Sequence, residues 1–275
     1  MYSILEHYLS TNHILMIGMI VTFILTFFLL EHPFSFLPSD QGRAFAVNGS
    51  LSKGKLRGVG FIFVLCFLIS SVLFLPIDVE YVIYAILLFA MMISGYLDDA
   101  SKTPWNEYKK GLIDLVISVV AVLTYMNFNS TTICFGADEI VIPKALFLIL
   151  GVILIWVSVN VTNCTDGVDG LCASLCSVTL LAFGVLFASV LQKYAMANFL
   201  FLSVLFAYLY FNSSPSSMLM GDAGSRALGF YIAVIALKST HPFNNIMKDA
   251  VMIADGGIGL IKIALKRFLK KKKKK

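Results

Sequence analysis

The sequence predicts an all-α polytopic membrane protein with about nine transmembrane helices. Three observations predict it. The 275 residues are 59% hydrophobic and 13% charged, about half the roughly 25% charge of an ordinary soluble protein. Apolar runs near the ~20 residues that cross a ~30 Å hydrocarbon core recur along almost the whole chain. Lys and Arg divide unevenly between alternate connections, the asymmetry that orients membrane proteins.

Taken in order, the expected spans cover residues 14–31, 58–76, 81–97, 111–128, 145–162, 170–191, 194–211, 226–238 and 246–265. The first follows a polar stretch at 6–12 and has neither the basic start nor the small-residue cleavage site of a removed signal, so it is kept as a span. The longest polar connections are 31–57, rich in Gly, Ser and Pro, and 127–143, where Val141 and Ile142 after Asp138 and Glu139 suit a short hairpin strand. Nothing between spans is long enough for a second domain. One integral-membrane domain is expected over 1–269, followed by a lysine tail at 270–275.

With the N-terminus outside, the inner side carries Arg43, Lys53, Lys55, Arg57, Lys102, Lys109, Lys110, Arg226, Lys262, Lys266 and Arg267, against Lys144, Lys193, Lys238 and Lys248 outside. The ends of spans three, five and eight therefore face the cytoplasm. The formal charge of +5 is no nucleic-acid signal, because the tail alone holds six lysines and the balance without it is −1. Five cysteines with no CxxC pair, mostly in or beside apolar runs, indicate neither a disulfide framework nor a zinc site. His7, His13, His32 and His241 read as interfacial or solvated.

An Asp within a membrane is costly unless it is solvated, paired or metal-bound. Three clusters hold acids at one side: Asp98 and Asp99 with Lys102 in GYLDDASK; Asn160, Asn163, Asp166 and Asp169 in NVTNCTDGVDGL; and Asp222 in MGDAGSRALG. About 60 residues separate each from the next, so a convergent patch of carboxylates at the cytoplasmic interface is the simplest account. Oxygen ligands without His or Cys suit a hard cation, and Mg²⁺ takes one or two carboxylates plus substrate phosphate oxygens. Gly167, Gly170, Gly221 and Gly224 beside the acids allow close backbone approach, and the turn before a helix presents N–H groups to phosphate. The pattern suits a phosphorylated substrate and a bridging metal, working where water meets lipid.

DDxxK at 98–102, NxxNxxDGxDGL at 160–171 and GDxGS at 221–225 together resemble the three cytoplasmic signatures of the polyprenyl-phosphate N-acetylhexosamine-1-phosphate transferases. The likeness in order, spacing and topology covers about 14–267 and points to the peptidoglycan branch of that family. It implies transfer of phospho-MurNAc-pentapeptide from UDP-MurNAc-pentapeptide to undecaprenyl phosphate, giving lipid I and UMP, with Mg²⁺ as cofactor and a homodimer among membrane lipids. UDP-GlcNAc is the alternative donor, since GlcNAc-1-phosphate transferases share the three motifs. By the resemblance, Asp222 is the principal metal ligand and Asp99 positions the phosphates or metal. Asp98 takes the proton from the lipid phosphate, Lys102 meets the pyrophosphate, and Asn160, Asn163, Asp166 and Asp169 bind the nucleotide side.

The chain departs from the family pattern in two places. GKLRGVG at 54–60 follows the family's Gly-rich approach to its second span only loosely. The family ordinarily adds a histidine-containing loop and a tenth span, whereas here RFL runs into six lysines. The tail is expected to be a truncation scar rather than an anchor for anionic lipids, and turnover is expected to be low. Asp114 and Asp255 are further acids at membrane positions; Asp255 with Gly256 and Gly257 reads as a helix break. Three rivals fit less well. An intramembrane prenyltransferase leaves GDAGS unexplained, and a CDP-alcohol phosphotransferase needs an Arg where Ser174 stands. A transporter places ionisable groups near the midplane and shows related halves.

Overall fold

The computed structural model describes residues 1–32, 34–40, 52–101, 103, 105–135, 138–186, 188–189 and 191–239. Lys102, the expected span at 246–265 with Asp255, and the lysine tail lie outside the described residues.

After a one-turn helix α1 (Tyr2–Leu5), eight helices follow in chain order: α2 (Thr11–Glu31), α3 (Gly60–Phe74), α4 (Val79–Asp99), α5 (Glu107–Phe128), α6 (Lys144–Thr165), α7 (Leu171–Leu186), α8 (Gln192–Asn212) and α9 (Gly221–Lys238). They match the first eight expected spans to within a few residues. Five of them, α2, α4, α5, α6 and α8, are long and apolar enough to cross a membrane; α3 and α7 are shorter apolar helices. The chain is a polytopic membrane protein. Between α5 and α6 an antiparallel hairpin pairs β1 (Thr132–Phe135) with β2 (Asp138–Val141), so the expected strand ends at Val141.

Burial is arranged for lipid. The outer helices expose large apolar side chains, among them Met16, Ile20 and Phe28 on α2, Leu112 and Val116 on α5, and Ile149 and Ile153 on α6. In water such a surface would drive aggregation; in a bilayer it is the solvated face. Helix α9 has the opposite character, with every residue from Gly221 to Lys238 buried. It packs most extensively on α4 and α6 and also touches α3, α5 and α7. A helix buried on all sides needs small residues where neighbours cross it. At one crossing the small residue belongs to α4: a Cβ on Gly95 would lie 2.3 Å from the carbonyl oxygen of Asp222. Aromatic rings fill the level below, where Phe67 stacks on Phe201 at 4.2 Å and Tyr231 meets both edge-on.

Helix α9 begins five residues earlier than the expected span at 226. The GDAGS segment reads as a turn because of its glycines, yet it is the first helical turn. Gly221 enters with φ +67°, and a Cβ there would sit 2.3 Å from Asp99 Oδ2. Only glycine tolerates both that conformation and that approach. The start is capped from another helix: Ala223 N–H donates to Asp99 Oδ2 at 3.0 Å, which sets a carboxylate on the positive end of the α9 dipole.

Candidate functional site

Helix α4 delivers Asp98 and Asp99 at its C-terminus, and α9 delivers Asp222 at its N-terminus. Two cations join them. Lys110, in the first turns of α5, places Nζ 2.5 Å from Asp98 Oδ2 and 2.9 Å from Asp222 Oδ2. Arg57, just before α3, donates from Nε to Asp99 Oδ1 at 2.8 Å, from Nη2 to Asp222 Oδ1 at 3.3 Å and from Nη1 to Asp40 Oδ1 at 3.4 Å. Asp40 also accepts from the Ser52 hydroxyl at 2.5 Å. Asp98 Oδ1 takes the Trp105 N–H at 2.7 Å, which ties down the chain after α4.

The carboxylates are enclosed, whereas the cations reach solvent. Side-chain exposure is 4% for Asp98, 0% for Asp99 and 10% for Asp222, against 20% for Lys110 and 29% for Arg57. Burial works against charge on Arg57, but Asp99, Asp222, Asp40 and Asp166 outweigh it and hold the guanidinium protonated well above its ordinary range. Among the described residues three carboxylates, Asp98, Asp99 and Asp222, thus share two cations, Lys110 and Arg57. In a partly desolvated site that excess of negative charge is expensive and favours further positive charge.

The second cluster lies alongside. Asn163 Nδ2 donates to the Ser225 hydroxyl at 2.9 Å, linking NxxNxxDGxDGL to GDxGS. Asp166 caps the end of α6, buried, and acts electrostatically on Arg57. Asp169 accepts Ser216 N–H at 3.0 Å and stands 3.8 Å from Lys55 Nζ. Asn160 instead turns back on its own helix, donating to Trp156 O at 2.7 Å. Two of the N–H groups at these helix starts already have acceptors: Gly170 N–H donates to Asn212 Oδ1 at 3.0 Å, and Ala223 N–H to Asp99.

The structure therefore brings Asp98, Asp99 and Asp222 together through shared cations and sets Asp166 and Asp169 beside them. Among the described residues no group of three or more His, Cys, Asp or Glu is gathered tightly enough to hold a metal alone. Carboxylates do converge in pairs, Asp99 and Asp222 on the Arg57 guanidinium and Asp98 and Asp222 on Lys110 Nζ. Two converging carboxylates and an oxygen-only donor set fit a hard divalent cation whose other ligands come from phosphate.

Sequence reasoning missed Arg57, Lys110 and Asp40 as site residues, counting the two cations only towards orientation. The available signal was charge balance, since buried carboxylates need cations from the same side of the membrane. It also left Asp114 without a partner. Asp114 pairs with Arg226, one turn below Lys110 and Asp222 respectively, both side chains 3% exposed.

Comparison with known proteins places this arrangement. Residues 81–240, which hold all three motifs, match Glycosyl transferase family 4. The chain is 36% identical over 274 residues to phospho-N-acetylmuramoyl-pentapeptide-transferase of Treponema pallidum (strain Nichols), covering 92% of this chain and 76% of the relative. Proteins of the same name from Dictyoglomus turgidum (26% identical; 90% of this chain, 80% of the relative) and Halalkalibacterium halodurans (28%; 91% and 80%) are also similar. With its three motifs gathered at the joined ends of α4, α6 and α9, the chain belongs to glycosyl transferase family 4, as a membrane-embedded phospho-sugar transferase.

Proposed function

We propose that the protein transfers phospho-N-acetylmuramoyl-pentapeptide from UDP-MurNAc-pentapeptide to undecaprenyl phosphate, yielding lipid I and UMP. One observation carries the reading: Asp98, Asp99 and Asp222 meet around Lys110 and Arg57 where α4 joins α9, in a chain 36% identical to a transferase of that name. The reaction joins a lipid-phosphate oxygen to the sugar-bearing phosphorus and breaks its bond to the bridging oxygen, which leaves with UMP. One phosphoanhydride replaces another, so no added energy source is implied. Two anions must meet, and positioning with charge neutralisation is most of the catalytic task.

In this reading Asp222 is the principal ligand of a Mg²⁺ ion, with Asp99 beside it. The ion supplies positive charge to the phosphates and the departing UMP. Asp98 accepts the proton of the lipid phosphate. Arg57 and Lys110, the more exposed members of the cluster, meet the phosphates together with Lys102. Asn163, Asp166 and Asp169 line the nucleotide side, with Asn160 at its margin. A homodimer among membrane lipids remains the expected assembly. The orientation that puts this end of α4 and α9 in the cytoplasm of a bacterial cell follows the distribution of Lys and Arg.

The test offers purified protein UDP-MurNAc-pentapeptide and UDP-GlcNAc separately, with undecaprenyl phosphate and Mg²⁺, and follows UMP. Release from the first donor alone is expected. Release from UDP-GlcNAc alone would reassign the sugar, and none from either would defeat the transferase reading.

A further inference from the structure

Lys110 and Asp114 lie one turn apart on α5, and Asp222 and Arg226 lie one turn apart on α9. Residues four apart share a helix face, so the two helices meet through two rungs of alternating polarity, Lys110 with Asp222 and Asp114 with Arg226. Only the first rung belongs to the acid cluster. The second is buried, and it uses little of what a guanidinium offers: Nη2 bonds Asp114, while Nε and Nη1 have no hydrogen-bond partner among the described residues. A buried pair so incompletely bonded contributes little stability, and the best-attested use of such pairs is to fix register. Register needs fixing here. Helix α5 packs chiefly on α4 and α6 and touches α9 along a short stretch, yet Lys110 must reach from α5 to Asp222.

We infer that Asp114 and Arg226 form a positioning pair, which holds α5 on α9 in the register that places Lys110 Nζ between Asp98 and Asp222. The pair does not touch the phosphates. Its effect on turnover rests on the proposed transfer; its effect on Lys110 does not.

The test reads Lys110 directly. The full chain in detergent is treated with an amine-acylating reagent, and modification of Lys110 is followed by peptide mass spectrometry. Lys238, buried at the far end of α9, serves as the control. Arg226→Met is expected to speed acylation of Lys110 about tenfold, in the range of couplings between neighbouring groups, and to leave Lys238 unchanged. If that variant does not fold, Asp114→Leu/Arg226→Met, which strands no charge, takes its place with the same expectation. Unchanged labelling of Lys110 in a folded variant, or both lysines accelerating together as general loosening requires, would overturn the inference. A second arm follows UMP release. Arg226→Met is expected to lower kcat about tenfold with KM within about twofold, and Lys110→Met/Arg226→Met to be no slower than Lys110→Met. Losses that multiply would assign Arg226 a separate structural role. A parent that releases no UMP while Lys110 labelling still responds would count against the transferase reading, not against the pair.

Discussion

Helix α9 is anchored by charge at both ends, about 24 Å apart along its axis, and the two anchors are built differently. At the Lys238 end one cation meets one acid: Lys238 Nζ donates to Glu80 Oε2 at 2.9 Å and to Asn129 Oδ1 at 2.7 Å, while Asn129 Nδ2 donates to Glu80 Oε1 at 2.7 Å. Tyr84 adds its hydroxyl to Glu80 at 3.3 Å, and the ion pair is only 6% and 8% exposed. Among the described residues that network is balanced, one cation to one acid. At the Asp222 end, among the described residues, the three acids Asp98, Asp99 and Asp222 share two partly exposed cations. Both ends bury charge in a membrane protein, so buried charge alone does not mark a site. Imbalance does, because it leaves capacity for a further cation and for substrate phosphates.

Moving charge at each end in turn separates the two anchors. The largest effect is expected at the unbalanced end: Asp222→Asn should lower UMP release at least about a thousandfold, the scale of a lost transition-state charge contact, while the folded protein survives purification. Gly221→Ala comes next. Its Cβ would lie 2.3 Å from Asp99 Oδ2 at a φ of +67°, so Asp99 must move, and a loss of about a hundredfold is expected in the same assay. At the balanced end Lys238→Met should act through the fold, lowering stability by about 3–5 kcal/mol through a stranded Glu80; thermal unfolding in detergent measures it. Adding Glu80→Leu should restore most of that stability, whereas no second change should rescue Asp222→Asn. The smallest effect is expected at Asp78, which caps α4 beside the balanced end. Burial pushes its carboxyl up, but Lys193 and the Tyr81 N–H outweigh that and hold it below the usual carboxylate range. Its contribution is therefore complete above the unfolded pKa and is lost as pH falls through the lowered one. Asp78→Asn should cost under about 1 kcal/mol near neutral pH and converge with the parent in acid, as melting curves across pH would show.

How much of this was legible depended on the range of the interactions. Hydrophobic runs located eight helices, because a span is a local property of about 20 residues. The three motifs could be set at one end because span length and the Lys and Arg asymmetry fix which loops share a side. The partners were less visible. Arg57 reaches Asp222 across 165 positions and Lys110 reaches it across 112, and no periodicity reports such pairings. Asp99 was read as a phosphate or metal group, and its bond to the Ala223 N–H makes it also the cap that starts α9. That cap explains why α9 begins at Gly221, a start hidden by a glycine-rich segment that looks like a turn. Asp114 is legible as an acid in a membrane position, but its partner Arg226 lies 112 positions away at the end of GDAGSR.

The proposed function makes the carboxylates at the joined ends of α4 and α9 the acids of a metal-dependent phosphoryl transfer. The most direct measurement is UMP release from UDP-MurNAc-pentapeptide and undecaprenyl phosphate, titrated with Mg²⁺, in the parent and in Asp222→Asn. Release is expected to rise with Mg²⁺ in the parent and to be absent from the variant at every concentration. Equal release by the two proteins, or release by the parent that persists in excess chelator, would contradict the proposed function.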